Sequence, residues 1–344
     1  MSVLYALSQR ALFRMDPERA HGLTVASLRN AQRCGLLGLI GQPVKALPCT
    51  VAGIEFANPV GLAAGCDKNG DAIDAWFGLG FGFVEIGTVT PKAQAGNPKP
   101  RMFRLVARQA VINRLGFNNG GLDLLVQRVQ ARRSAGVLGI NLGKNKGTPN
   151  EHAASDYLAG MQRCYALADY LTINISSPNT AGLRDLQQRD ALRALLGELK
   201  SAQIRLSGVH GRHVPLFVKL APDLDEVGLD DSAAVILETG MDGAILGNTT
   251  LDRSEVSGQA HADEAGGLSG APLLARSTTV LRAFRERVGA DLALMGVGGI
   301  LRGADAVAKF EAGANLVQFY TGLVYRGPAL IGECVEALRA HCDR

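Results

Sequence analysis

Thr172-Ile-Asn-Ile-Ser-Ser-Pro-Asn-Thr180 is a short apolar strand that runs straight into a knot of hydroxyls and amides. A packed core would continue such a strand with Val or Leu. Here Asn174, Ser177, Asn179 and Thr180 crowd hydrogen-bonding groups at its end, and Pro178 stops it and stiffens the turn. Taken alone, the segment fits an Asx/Ser turn as well as it fits a site. The same grammar recurs along the chain, in Val-, Ile- and Leu-rich runs at 60–64, 83–86, 138–141, 171–175, 216–220, 243–248, 292–297 and 316–320. Runs without polar alternation read as strands buried on both faces, and the segments between them are mostly long enough for a crossover helix. Eight such units point to an α/β fold of the (β/α)8, or TIM, barrel type.

Nearly every run ends in polar or Gly-rich sequence: Gly65-Cys-Asp-Lys68, Gly87-Thr88, Asn141, Asn174, Lys219, Asn248-Thr249, Gly298-Gly299 and Tyr320-Thr321. A doubly wound sheet would gather its ligand groups at one switch point. In a barrel these are the carboxyl ends of the strands, where an active site is assembled from several strands at once.

Composition agrees with one barrel and a small extra element. The 344 residues are 47% hydrophobic and 20% charged, with 42 glycines for tight loops, and contain no low-complexity tract or long linker. The six cysteines, at 34, 49, 66, 164, 334 and 342, form no Cys-x-x-Cys pair and follow no secretory signal, which favours reduced thiols in a cytosolic setting. His210 and His213 are closely spaced, but no Cys or carboxylate cluster joins them, so no metal site is expected.

Charge is concentrated at the start. Residues 1–45 carry Arg10, Arg14, Arg19, Arg29, Arg33 and Lys45 against Asp16 and Glu18, six against two; this excess of four equals the net charge of +4. The remaining chain is neutral, which argues against a nucleic-acid partner. Leu4, Leu7 and Ala11, with Leu12 and Phe13 beside them, give residues 3–13 the spacing of a helix with one apolar side. Asp16-Pro17-Glu18 reads as an N-cap with Pro at the first helical position, opening a second helix through about Arg33. Such basic amphipathic helices either lie on an anionic membrane or pack on the barrel as a cap. Neither is long enough to span a bilayer, and the segment lacks the features of a signal peptide.

The strand ends can be read as chemistry. Gly61-Leu-Ala-Ala-Gly65 lets backbone approach a flat ligand. Met295-Gly-Val-Gly-Gly-Ile300 and Gln318-Phe-Tyr-Thr-Gly322 fall at strands seven and eight, where barrels commonly hold a phosphate, so a phosphorylated cofactor is expected. Lys219 is a cation in an apolar strand and calls for an anion, an electron-rich ring, or a salt bridge to Asp223 or Asp242. Asn113, the pair Asn174 and Asn179, and Asn248 come from three separate regions. Together they suit a small planar ligand with alternating C=O and N–H edges, such as a pyrimidine.

Six ordered motifs carry a family resemblance: Ala63-Ala-Gly-Cys-Asp-Lys-Asn69, Glu85-Ile-Gly-Thr-Val-Thr-Pro91, Asn113-Arg-Leu-Gly-Phe-Asn118, Gly139-Ile-Asn-Leu-Gly-Lys-Asn145, Asn174-Ile-Ser-Ser-Pro-Asn-Thr180 and Met295-Gly-Val-Gly-Gly-Ile300. Together they resemble the dihydroorotate dehydrogenases over nearly the whole chain. Ser177, where soluble class 1 enzymes place a Cys base, and the N-terminal extension resemble the membrane-associated, quinone-dependent class 2.

The resemblance implies a helical quinone-tunnel domain over 1–45 and an FMN-binding barrel over 46–344. It implies FMN bound by Ala64, Gly65, Cys66, Asp67 and Lys68, by Thr88, Asn141, Asn174 and Lys219, and by Gly247, Gly270, Gly299, Tyr320 and Thr321. Dihydroorotate would be held by Lys68, Asn113, Arg114, Leu115, Gly116 and Phe117, and by Asn174, Asn179, Asn248 and Thr249. The expected reaction is oxidation of dihydroorotate to orotate in pyrimidine synthesis. Ser177 takes the C5 proton, the C6 hydride passes to FMN, and a membrane quinone receives the electrons. Thr180 or water would relay the proton, and the loop 180–186 would act as a gate. A monomer bound peripherally at the cytoplasmic face of the inner membrane is implied.

Two positions depart from the family. Cys66 stands where a larger apolar residue is common, and Gly247 replaces a hydroxyl residue, so a side-chain bond to the flavin is absent. A fumarate- or NAD-using class 1 enzyme is disfavoured by Ser177 and the extension. A flavin-dependent tRNA dihydrouridine synthase would require a reactive site Cys and a basic face, and a non-catalytic phosphate-binding barrel would carry no flavin.

Overall fold

The computed structural model describes residues 9–41 and 43–343. The first expected helix lies partly outside them; residues 9–13 are helical. The second spans Pro17–Arg33, as its capping sequence requires: an Asp16 carboxylate oxygen accepts from the Arg19 amide at 2.9 Å, and Pro17 opens the helix.

All eight apolar runs form strands: β1 (Val60–Leu62), β2 (Phe83–Val89), β3 (Val137–Leu142), β4 (Tyr170–Asn174), β5 (Leu216–Leu220), β6 (Gly243–Leu246), β7 (Ala293–Val297) and β8 (Leu316–Phe319). They pair in parallel, in chain order, and close on themselves as β8 meets β1. Strand β6 ends two residues before its apolar run does, because Gly247 takes φ +127° and leaves the ladder. A helix follows each strand and buries its apolar side against the barrel wall, so the main core lies between wall and helices.

The barrel interior is layered. Phe83, Tyr170 and Phe217, from the starts of β2, β4 and β5, meet edge to face with centroids 5.4–6.3 Å apart. Phe56 joins them, 5.2 Å from Phe83. It belongs to a hairpin, Cys49–Val51 with Ile54–Phe56, that plugs the amino end of the barrel. Tyr170 explains Gly139: a Cβ there would lie 2.1 Å from the Tyr170 ring. Next to the rings sits a polar layer of Glu85, Thr172 and Gln318, all fully buried, and the carboxyl ends of the strands follow.

Like that hairpin, a second feature was not expected from the sequence. Met102–Leu105, Ala110–Asn113 and Gly267–Gly270 form a three-stranded antiparallel sheet beside the barrel mouth. Its first strand alternates buried and half-buried positions, so a search for continuous apolar runs passes over it.

The N-terminal segment lies over the mouth. Glu18 accepts two bonds from buried Arg101, at 2.7 and 3.0 Å, and Lys99 approaches to 3.4 Å. Arg104 donates to the Phe13 and Met15 carbonyls and stacks over the Phe13 ring at 4.9 Å. The described part of this segment is therefore packed on the barrel. Met15, Leu23, Leu36, Leu39 and Ile40 of this segment stay exposed, all but Leu36 lining the cavity described below. Among the described residues, no helix is long and apolar enough to cross a membrane.

Candidate active site

A cavity of about 700 Å³ lies over the carboxyl ends of the strands and continues beneath the helix Pro17–Arg33. Its polar end is built from strand termini. Asn174, the last residue of β4, donates from Nδ2 to Thr88 Oγ1 at 2.8 Å and to Asn141 Oδ1 at 3.1 Å. Its own Oδ1 accepts from the Ser176 amide and hydroxyl. Asn248, just past β6, donates to Ser176 Oγ at 2.9 Å, and Asn179 Nδ2 reaches Asn113 Oδ1 at 3.4 Å. All four asparagines singled out from the sequence therefore face one space. The turn carrying Leu115, Gly116 and Phe117 is fixed by Asn97, whose Nδ2 bridges the Arg114 and Asn179 carbonyls. A Cβ on Gly116 would press on the Asn97 side chain at 2.8 Å.

Ser177 is buried in the cavity wall, its Oγ accepting from the Asn179 amide at 3.2 Å. Thr180 is also buried but lies outside the wall and makes no hydrogen bond to Ser177, so the direct relay expected from the sequence is not formed. Beside the site, Arg184 pins the candidate gate. It donates to the Ser176 and Thr249 carbonyls at 3.0 and 2.9 Å and pairs with Asp223 at 2.8 Å, while Asn150 holds the Gly182 carbonyl.

Two lysines enter the wall. Lys68 donates to the Gly65 carbonyl at 2.9 Å, and burial depresses the pKa of its ammonium. Lys219 ends inside the barrel, only 4% exposed, with no hydrogen-bond partner among the described residues. The salt bridges considered for it are not made: Asp223 is taken by Arg184 and Arg276, and Asp242 by His213. Burial lowers its pKa, and the charge of Glu85 works in the opposite direction.

Three expected site residues stand outside the wall. Asn141 is fully buried beneath it and acts through Thr88 and Asn174. The Asp67 carboxylate is consumed by the Asp71 and Ala72 amides and Trp76 Nε1, which shape the turn after β1. The Arg114 guanidinium turns away to Glu264 and the Pro100 carbonyl and covers the Phe103 ring. The remaining expected residues line the cavity: Ala64, Gly65, Cys66, Tyr320 and Thr321 near the β1 and β8 ends, with Gly247, Thr249, Gly270 and Gly299 opposite. Burial pushes the Cys66 thiol far up, so it is no second base. At Gly247 a Cβ would lie 2.3 Å from the Val297 carbonyl oxygen, so the backbone itself leaves no room for a side chain.

The other end of the cavity is apolar, lined by Leu12, Phe13, Leu23, Leu28, Leu39 and Ile40. Three polar groups interrupt it. Tyr320 OH lies 3.3 Å from His21 Nδ1, and Arg104 stands near. Burial pulls His21 down to about 4, so its ring is neutral. The sequence reading missed His21, Arg104 and Arg184; the available signal was that His21 falls on the stripe of Pro17, Ala20, Thr24 and Leu28 that faces the cavity.

The residues present suit a flat, anionic cofactor: an unpartnered buried cation at Lys219, an orphaned buried hydroxyl at Thr249, and glycines of positive φ at 65, 270, 298 and 299. A closed parallel barrel with such groups at its strand ends defines a TIM-barrel enzyme. The family model for dihydroorotate dehydrogenase matches residues 46–341. A Stenotrophomonas maltophilia (strain R551-3) protein named Dihydroorotate dehydrogenase (quinone) is 58% identical over 98% of this chain and 96% of its own length. A Xanthomonas euvesicatoria protein of the same name is 59% identical over the same shares. The crystal structure of DHODH from Eimeria tenella in complex with ferulenol superposes with a TM-score of 0.87 at 40% identity, covering 95% of this chain and 92% of that one. The chain belongs to the dihydroorotate dehydrogenase family, in its quinone-dependent branch.

Proposed function

We propose that the chain oxidises (S)-dihydroorotate to orotate, with FMN as hydride acceptor and a membrane quinone as final acceptor, in pyrimidine synthesis. The observation that carries this reading is one cavity with two chemically opposite ends, amide-rich over the strands and apolar under the N-terminal helix. Bound FMN supplies the hydride acceptor and the store for the electron pair.

The protein supplies the rest. Asn113, Asn174, Asn179 and Asn248 match the alternating donors and acceptors of the dihydropyrimidine, and the orphaned Thr249 hydroxyl gains a partner when substrate binds. Lys68 neutralises the substrate carboxylate or charge developing on its ring. Ser177 takes the C5 proton; with no bond to Thr180, it passes that proton to water. Lys219 and the glycines at 65, 270 and 299, with Thr88, Tyr320 and Thr321, hold the cofactor. The apolar end admits the quinone past His21, Arg104 and Tyr320. Exposed Met15, Leu23, Leu36, Leu39 and Ile40, on the basic segment 1–45, suit peripheral contact with the cytoplasmic face of a membrane by a monomer. The functional division is residues 1–45 for quinone and 46–344 for catalysis.

The test is an anaerobic flavin spectrum of the purified protein with dihydroorotate and then a soluble quinone. Bleaching followed by recovery is expected. Bleaching without recovery removes the quinone, and absence of flavin removes the reaction.

A further inference from the structure

Glu85, on β2, is fully buried in the barrel interior. Its Oε1 accepts from Asn141 Nδ2 at 2.8 Å, and its Oε2 from Tyr170 OH at 3.0 Å and Gln318 Nε2 at 2.8 Å. Three donors and no acceptor suit the ionised carboxylate, which accepts only. Burial and the adjacent carboxylate push Tyr170 far up, so it stays a donor. An isolated charge in such a place is costly without a cation. No salt bridge reaches Glu85 among the described residues; Lys219 also ends inside the barrel, and the charge of Glu85 favours its ammonium.

The same carboxylate removes an ambiguity. An Asn amide fits most pockets either way round, but beside an acceptor-only group Asn141 must turn its Nδ2 inward. Its Oδ1 then faces the site and accepts from Thr88 Oγ1 at 2.5 Å and Asn174 Nδ2 at 3.1 Å. Thr88, having donated to Asn141, presents a lone pair to Asn174. Two routes thus lead from one buried charge to the cavity wall.

We propose that Glu85 is a positioning residue for the reaction: it sets the hydrogen-bond polarity of the Asn141–Thr88–Asn174 chain and supplies the buried counter-charge to Lys219. The inference rests on the reading of the cavity as an FMN site and deepens it.

Glu85→Gln keeps the shape and removes the charge. In the full chain with 15N-labelled lysine, without flavin, Lys219 loses its proton at lower pH in Glu85→Gln than in the parent. FMN affinity drops about tenfold, and the same change in a Lys219→Met background costs less than about twofold. An unchanged Lys219 titration, or losses that multiply independently in the double variant, overturns the proposal. Should Glu85→Gln not fold, Lys219→Met decides. In that background Glu85→Asp is expected to cost less FMN affinity than it does in the parent, and equal losses in the two overturn the proposal. A parent chain that takes up no FMN would remove the cofactor reading, while the lysine titration, made without flavin, would still decide the role of Glu85.

Discussion

A serine hydroxyl lies far from the pKa range that suits proton transfer near neutrality, and among the described residues no His or carboxylate is bonded to Ser177. Its usefulness depends on placement. Ser177→Ala is expected to slow flavin reduction by dihydroorotate at least ~100-fold in stopped-flow, with a weaker effect on substrate binding. An unchanged reduction rate would end its role as base. Gly247 makes a second prediction at this scale. Its φ is +127°, and a Cβ would stand only 2.3 Å from the Val297 carbonyl oxygen, which leaves no room for a side chain. Placing a hydroxyl residue there as Gly247→Thr should destabilise the chain by ~1–3 kcal/mol in urea unfolding and weaken FMN retention. Tighter flavin binding in that variant would show that the strand end adapts.

The helix Pro17–Arg33 is the element that joins the two ends of the cavity. Glu18 anchors it to Arg101, which is 6% exposed. Glu18→Ala leaves that guanidinium only the Ala95 and Asn97 carbonyls, at a cost of ~1–3 kcal/mol, read as faster hydrogen exchange in the helix, with the barrel amides unchanged. His21 gives the same element an acid sensitivity. Its folded pKa of about 4 lies below its ordinary value of 6.5 because burial penalises the charged ring. Protons therefore bind the unfolded state more readily, so its contribution is intact above about pH 6.5 and is lost as pH falls toward 4. His21→Phe should flatten the melting temperature against pH in that window; an unaltered profile would show that His21 is not buried in solution. The elements differ in how readable they were. The eight barrel strands were legible because each is buried on both faces and ends in chemistry, and the helix because Asp16-Pro17 caps it. The sheet of 102–105, 110–113 and 267–270 was not, since it is partly exposed and pairs segments more than 150 residues apart. Asn141, Asp67 and Arg114 matched the family pattern in sequence, yet their side chains act behind the wall, a distinction set by packing partners that no local motif encodes.

The molecule as a whole is a neutral catalytic barrel with a basic, partly apolar rim. Removing residues 1–40 takes away the helix that roofs the apolar end and the basic residues beside it. The truncated chain should still have its flavin reduced by dihydroorotate but lose turnover with long-chain quinone; normal quinone turnover would show that the rim is dispensable. Because the hairpin Cys49–Val51 and Ile54–Phe56 plugs the opposite end, every molecule that reaches the cavity comes and goes on one face. For the membrane contact proposed above, this governs posture. On the proposed function a water-borne anion and a lipid-borne ring would be served by the same face, which would lie obliquely on the surface, one margin immersed and the other open to water.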